Sequence, residues 1–118
     1  MTIDIRFCGL ESSDSLRAYI ARSIRFQLRR LGNALSAVVV RLSDVNGPKG
    51  GADKRCQVML RRPGLRPVTI EELSGDAYAA VDLAVERAAR AADRGLKRAR
   101  SKRRRWASLD RRPVAASR

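Results

Sequence analysis

The chain of 118 residues contains no histidine, only two cysteines, and few aromatic residues, namely two Phe, two Tyr and one Trp. The absence of histidine removes the commonest general base and the commonest metal ligand, so we expect no metal site, no cofactor and no catalysis. The few aromatic side chains provide no platform on which successive single-stranded bases could stack. No run of about eighteen apolar residues occurs, so no membrane span is expected. An apolar signal-peptide core is also missing from the N-terminus, which favours a cytoplasmic protein.

The two cysteines, Cys8 and Cys56, do not form a CxxC motif. In a chain with cytoplasmic features, two thiols at such a spacing are typical of reduced cysteines. We therefore expect no disulfide bond.

Acidic residues are scarce relative to basic ones. Lys and Arg number 26 and Asp and Glu number 12, which gives a net charge of +14 and a pI near 11.5. Both the part of the chain before Gly75 and the part after it carry an excess of basic residues. This charge predicts rapid, salt-sensitive association with nucleic acid or with an anionic membrane surface.

The hydrophobic pattern predicts four strands and two helices in the order β-α-β-β-β-α. Alternating apolar residues mark the strands, and apolar residues at helical spacing mark the helices. A Pro63-Gly64 turn separates the third strand from the fourth. The predicted strands are centred on residues 3–7, 38–42, 56–60 and 68–70, the first helix begins after a Ser13 cap and ends at Gly32-Asn33, and the second follows Ser74-Gly75.

This element order predicts an α+β fold with two layers, a four-stranded sheet with both helices on one face. The first strand and the second should be parallel and joined by a right-handed crossover, whereas the next two connections should be hairpins. Length allows one small domain, which we assign to residues 1–105. Residues 106–118 are predicted to be a disordered C-terminal tail.

Each predicted helix carries basic residues on a face separate from its apolar face. In the first helix the apolar residues extend from Leu16 to Leu31, and in the second from Ala77 to Ala92, with Asp82, Glu86 and Asp93 flanking the basic face. Helix faces with so strong an excess of positive charge indicate that the helices bind a polyanion. The basic residues are Arg22, Arg25 and Arg29 in the first helix and Arg87, Arg90, Arg94, Lys97 and Arg98 in the second.

Three aromatic residues lie in or near the helices. Tyr19 and Tyr78 fall beside the apolar faces, so we expect both to belong to the core. Trp106 could stack on a base, pack onto the sheet or remain mobile.

The segment from Asp44 to residue 54 is a loop rich in glycine, in which Lys49 could contact phosphate among backbone amides that glycine leaves accessible. Its sequence Gly47-Pro-Lys-Gly-Gly51 resembles the Gly-Gly-Gln loop of peptidyl-tRNA release enzymes. That chemistry needs the glutamine, and Ala52 stands in its place. The loop also lacks the GK[ST] ending of a nucleotide-binding loop. A hydrolase is therefore disfavoured.

Three segments resemble the family of ribosome hibernation-promoting factors and ribosome-associated inhibitors, also described as sigma-factor modulation or ribosomal subunit interface proteins. They are Ser-Asp-Ser-Leu-Arg-Ala-Tyr-Ile (13–20), Val-Val-Val-Arg-Leu (38–42) and, most specifically, Gly-Asp-Ala-Tyr-Ala-Ala-Val-Asp (75–82). The resemblance covers roughly residues 3–100. It implies a β-α-β-β-β-α fold related to double-stranded RNA-binding domains.

The resemblance also implies a function. Family members bind in the decoding region of the small ribosomal subunit, over sites used by messenger and transfer RNA, as part of ribosome hibernation and translation regulation under stress. The chain lacks the second, dimer-forming domain of the long members, so we expect a monomer when free and no ribosome pairing by this chain alone. The positions that match rRNA-contacting residues of the family are Arg17, Arg22 and Arg25 in the first helix and Arg87, Arg90 and Arg94 in the second.

Two alternative functions remain open from the sequence. One is a general binder of structured RNA, or a ribosome-assembly protein, on the same fold. The other is contact of the polybasic segment 97–105 with anionic membranes, which the absence of an amphipathic apolar face there disfavours. No membrane partner and no small-molecule substrate are therefore expected.

Overall fold

The computed structural model describes residues 1–45 and 53–110, with side chains described as far as residue 107. Within these residues the predicted element order is confirmed, with a short 3-10 helix before the second strand. The elements are β1 (Thr2–Cys8), α1 (Asp14–Gln27), the 3-10 helix (Gly32–Ala34), β2 (Ala37–Asp44), β3 (Lys54–Arg61), β4 (Val68–Ser74) and α2 (Ala77–Asp110).

The four strands form one sheet in the order β1-β2-β3-β4. β1 and β2 are parallel, and the other two pairs are antiparallel, as the sequence predicts. One row across the sheet joins Ile5, Val40, Val58 and Ile70 and faces the helices. The next row begins with the pair Arg6 and Arg41 and faces away from the helices, because successive side chains in a strand point to opposite faces.

The hydrophobic core lies between the sheet and the two helices, which cover the same face of the sheet. In β2 and β3 the alternate residues on that face are fully buried, whereas the residues between them are mostly half-buried or exposed. The predicted two-layer α+β architecture is therefore confirmed. The fully buried or nearly buried residues are Val38, Val40, Leu42, Cys56, Val58 and Leu60 of the sheet, Leu16, Ile20 and Ile24 of α1, and Ala80, Val81, Ala84, Val85, Ala88 and Ala92 of α2.

The start of α1 is as predicted, but its end is not. Ser13 adopts an extended conformation and its Oγ accepts a hydrogen bond from the Leu16 amide at 3.2 Å, which confirms the N-cap. The helix ends at Gln27, about one turn before the predicted end at Gly32-Asn33. The apolar periodicity nevertheless continues, because Leu28 and Leu31 remain buried in the turn that follows.

The turn between β3 and β4 packs against α2. Gly64 follows Pro63 with φ of 77°, and the Leu65 amide donates to the Arg62 carbonyl at 3.0 Å, as in a type II turn. The Arg62 side chain crosses α2 at Gly95, where a Cβ atom would overlap its Nη1. Glycine is unfavourable inside a helix, and here it provides the space for this close approach.

α2 is longer than predicted. It continues to Asp110, so the backbone of residues 106–110 is helical and the predicted start of a disordered tail at Trp106 is wrong for these residues. Residues 111–118 of that predicted tail lie outside the described residues. No helix in the described part of the chain combines the length and apolar character that a membrane span needs.

Candidate nucleic-acid interface

The outer face of α1 carries exposed basic side chains opposite the buried Leu16, Ile20 and Ile24. Arg22 and Arg25 are exposed, and in the described part of the chain neither forms an ion pair or a hydrogen bond. Arg29 is also exposed, in the turn after α1, and its guanidinium carbon lies 4.5 Å from the centre of the Phe26 ring. These guanidinium groups are free to bind phosphate bidentately.

Arg17 does not share this outer face. Its Nη1 donates to the Ile5 carbonyl at 3.2 Å, and its guanidinium carbon lies 5.1 Å from the centre of the Phe7 ring. Arg17 therefore packs along β1, although its side chain is exposed. Its predicted contact with rRNA stays a prediction, and the structure gives it a second role in holding α1 against the sheet.

The basic face of α2 is exposed as predicted, but three of its five cations already have acidic partners. Arg87 pairs with Glu72 of β4, Arg90 with Glu86, and Lys97 with Asp93 at 3.2 Å. Between 57% and 70% of each of these basic side chains is exposed. The Arg90 and Lys97 pairs contact solvent on both sides and are worth little in stability, so phosphate groups can compete for these two cations, whereas Glu72, the partner of Arg87, is only 14% exposed. Within the described residues Arg94 and Arg98 form no ion pair.

Acidic residues of α2 lie between the two basic faces. Asp82 accepts a hydrogen bond from the Tyr19 hydroxyl of α1 at 2.6 Å, and this bond raises the pKa of Tyr19. The Tyr19 ring also packs edge-on against Tyr78, with ring centres 4.8 Å apart. These contacts connect the two helices at their exposed side and keep their basic faces at a fixed separation.

The sequence predicts that Tyr78 belongs to the core, and this prediction is wrong, because the side chain is exposed where α2 begins. It is 39% exposed and lies at the edge of the core, where its amide donates to Asp76 Oδ1 at 3.1 Å. Tyr19 is half-buried. The two rings therefore cover the exposed side of the contact between α1 and the start of α2. The small apolar residues of α2 fill the interior beneath this contact.

A cleft of about 260 Å³ opens between the last turn of α1 and the middle of α2. Its walls carry charges of both signs, so it can accept phosphate on one side and hydrogen-bond donors on the other. Sequence reasoning did not find Arg30, which belongs to this cleft, because the early end of α1 turns it towards α2. The lining residues are Gln27, Arg30, Leu31, Glu86, Ala89, Arg90 and Asp93.

Residues 46–52 of the glycine-rich loop, which include Lys49, lie outside the described residues. The predicted contact of Lys49 with phosphate therefore stays a prediction. The base of the loop is described. Lys54 Nζ donates to Asp44 Oδ2 at 3.0 Å and to Asp53 Oδ2 at 3.1 Å, and these bonds raise the pKa of Lys54. The Val45 amide donates to the Asp53 carbonyl at 2.8 Å. The hairpin is therefore closed by polar contacts directly beside the glycine-rich loop.

The two cysteines are free, as expected. Cys56 is fully buried, and burial raises the pKa of its thiol to about 12. Cys8 is exposed, and β2 separates its strand from that of Cys56. In the described part of the chain no group of Cys, Asp and Glu side chains is placed to hold a metal ion.

The C-terminal part of α2 adds basic residues that the sequence analysis considered only for contact with an anionic membrane and did not include in the RNA-binding site. The cations of residues 100–105 are exposed on a helix that extends past the sheet. A signal for this was available, because no proline or glycine follows Gly95 until Pro113, so nothing in the sequence ends the helix earlier. The additional residues are Arg100, Lys102, Arg103, Arg104 and Arg105.

Comparisons with solved structures support the fold. The N-terminal domain of Protein Y from Thermus thermophilus is similar at 30% sequence identity and a TM-score of 0.66, over 80% of this chain and 98% of that domain. A ribosomal subunit interface protein from Coxiella burnetii is similar at 20% identity and a TM-score of 0.63, over 74% of this chain and 88% of that one. No curated protein matches the chain.

One protein-family model matches most of the residues that the structure describes. The model of the family described as sigma 54 modulation protein / S30EA ribosomal protein matches residues 3–104, which include β1 apart from Thr2, the other three strands, α1 and most of α2. The chain belongs to this family of ribosome-associated proteins.

Proposed function

We propose that this protein is a translation inhibitor of hibernating ribosomes that binds small-subunit rRNA in the decoding region and excludes messenger and transfer RNA by occupancy. Family membership supports ribosome association and a cytoplasmic location. The observation that carries the proposal is the position of Arg22, Arg25 and Arg94, which are exposed on the helical side of the sheet and have no acidic partner among the described residues. Two basic helix faces held side by side fit an RNA surface, which is recognised chiefly by its shape, phosphates and 2′-hydroxyls.

The ion pairs of α2 give binding a second stage. When phosphates approach, Arg90 and Lys97 can exchange their carboxylate partners for phosphate at little cost, because both partners of each pair contact solvent, whereas exchange at Arg87 would leave the mostly buried Glu72 without its partner. The carboxylates of Glu86 and Asp93 remain beside the bound phosphates and repel them. They therefore limit how closely a simple polyanion can bind and favour an RNA that places phosphates beside the arginines and hydrogen-bond donors, such as 2′-hydroxyls, beside the carboxylates.

Occupancy requires no chemical step. The chain has no histidine, and its buried thiol is held neutral by its raised pKa. A protein that acts by filling a site inhibits in proportion to its concentration relative to ribosomes, whereas an enzyme would act at far lower ratios. We propose a monomer as the active species, with one molecule for each small subunit.

A cell-free translation titration tests this proposal. At a known ribosome concentration, inhibition should rise until the protein reaches about one molecule per ribosome and then level off. Complete inhibition at a small fraction of the ribosome concentration, or rRNA cleavage products on a gel, would contradict occupancy.

Sedimentation identifies the partner. Tagged protein should migrate with small subunits and intact ribosomes at moderate salt, and messenger RNA with initiator tRNA should compete with it. Binding to RNA duplexes without binding to ribosomes would instead favour the general RNA-binding alternative. Flotation with anionic vesicles at the same salt would favour the membrane alternative.

A further inference from the structure

The last part of the described α2, residues 97–107, forms a feature that we call the basic extension. Among the described side chains of α2, Ala92 is the last that is fully buried, and Leu96 is only partly buried. The turn between β3 and β4 flanks the helix here, with Pro63 and Leu65 close to Leu96 and Ala99. Every side chain from residue 102 to residue 107 is exposed. The first turn of the basic extension therefore still lies beside the β3–β4 turn, and residues 102–107 continue beyond it as an exposed helix.

The charges of the basic extension surround the helix. With about 100° between successive residues, Arg100 and Arg104 lie on one side, and Lys102 and Arg105 lie about 150° away on the other. Arg103 occupies the space between them. No acidic residue occurs in the basic extension, and after Lys97, which pairs with Asp93, its cations form no ion pair within the described residues. A helix that rests on a flat surface needs cations on one face only, so this distribution indicates a partner that surrounds the helix.

We propose that the basic extension inserts into a groove or crevice of structured RNA, where phosphates approach it from opposite sides. A gap between neighbouring rRNA strands, or a deep groove that a bulge has widened, has this geometry, whereas the deep groove of a regular A-form duplex is too narrow for a helix about 10 Å across. Charge complementarity favours RNA, because each side of the helix would neutralise a different phosphate backbone. The inference extends the proposed function to a second contact, separate from the basic faces of α1 and α2.

An anionic membrane fits this helix less well than RNA does. A helix that lies in a membrane interface needs a continuous apolar face and cations confined to the opposite face. In the basic extension the exposed Trp106 is the one large apolar side chain among the described residues, and cations flank it on both sides. Burial of one side of the helix in lipid would therefore bury charged groups.

Trp106 provides a direct test, because it is the single tryptophan of the chain and is 61% exposed. Acrylamide quenching of its fluorescence is measured for the full chain, free and bound to purified small subunits or to an RNA duplex of about 16 base pairs that carries a central bulge to widen its deep groove. Insertion should reduce the quenching constant several-fold in the bound state. Unchanged quenching in every RNA-bound state would overturn the inference, as would protection by anionic vesicles but by neither RNA.

Paired charge variants test whether the partner surrounds the helix. One variant combines Arg100→Gln with Arg104→Gln, and the other combines Lys102→Gln with Arg105→Gln. Both remove two charges, and none of these side chains has a hydrogen bond or ion pair within the described residues, so the fold should be unchanged by circular dichroism. Each pair should weaken duplex binding roughly 15- to 30-fold at about 0.15 M salt. Loss of affinity in only one of the two variants would indicate a one-sided contact and overturn the inference.

The two proposals fail in different ways. If the chain binds small subunits but Trp106 stays fully accessible there and on the duplex, the proposed function stands and insertion of the basic extension is wrong. If small subunits are not bound at all, the proposed function fails, and the duplex measurements still decide the inference by the outcomes stated above.

Discussion

Removal of the three unpaired arginines Arg22, Arg25 and Arg94 should weaken ribosome binding strongly without loss of the fold. The variant replaces each by glutamine, which keeps the length of the side chain and removes its charge. All three are exposed and form no ion pair among the described residues, so the expected change in unfolding free energy is within about 0.5 kcal/mol for each. Any large loss of binding would then come from the interface.

The size of the effect follows from counterion release. Each phosphate that a cation neutralises contributes about 0.7 to 0.9 to the slope of log K against log salt concentration. At about 0.15 M salt this corresponds to roughly four- to fivefold in affinity for each cation. The triple variant should therefore bind roughly 50- to 150-fold more weakly, with a slope that is smaller by about two to three.

A control variant separates a local contact from the effect of total charge. Arg6, Arg41 and Arg61 are exposed on the face of the sheet that the helices do not cover. Their replacement by glutamine lowers the net charge by the same three units. Binding to small subunits is measured by filter binding across a range of salt concentrations. Equal weakening in both variants would show that only net charge matters and would refute the assignment of the surface.

Three further predictions concern the fold and its titration. Val81→Asp should prevent stable folding, because Val81 is fully buried and a buried unpaired carboxylate is costly, whereas Tyr78→Ala should lower the melting temperature only moderately, because its side chain is 39% exposed. Thermal melts compare the two variants, and equal melting temperatures would show that the buried face of α2 is assigned incorrectly. Ribosome affinity should stay constant between about pH 6 and pH 8, because the chain has no histidine to titrate there, and a steep change in a binding assay would contradict this. The free energy of unfolding should fall above about pH 9, because the Cys56 thiol ionises with a pKa of 9.0 in the unfolded chain but about 12 in the folded one, and the expected loss is about 1.4 kcal/mol at about pH 10. Denaturant unfolding measures this loss, and an equal loss in the Cys56→Ala variant would show that another group causes it.

Local patterns were sufficient to predict the strands and the start of each helix. Alternation in β1 and β3, the Ser13 cap and the Pro63-Gly64 turn are short-range signals, and the structure confirms each of them. The parallel pairing of β1 with β2 also followed, since a helix between two strands of one sheet provides the required crossover.

Contacts between distant elements were not predictable. Nothing in the spacing of α2 indicates that Arg87 meets Glu72 of β4, because that pairing depends on how the helix lies on the sheet. The contact of Arg17 with β1 has the same origin. The position of Tyr78 on the edge of the core, rather than in it, was decided by the angle of α2, which small rotations of a helix change.

The continuous helix α2 contains two parts that should differ in how their backbone amides exchange with solvent. Up to about Leu96 the helix shares the core, so its amides should exchange only with global unfolding. Beyond Gly95, like charges four residues apart, such as Arg100 and Arg104, repel each other and favour local fraying. Salt then has two opposing effects, since it screens this repulsion and orders the free helix while it weakens the contact with phosphate. At low salt, where RNA binds most tightly, this segment of the free protein is frayed, and binding of RNA can therefore order it.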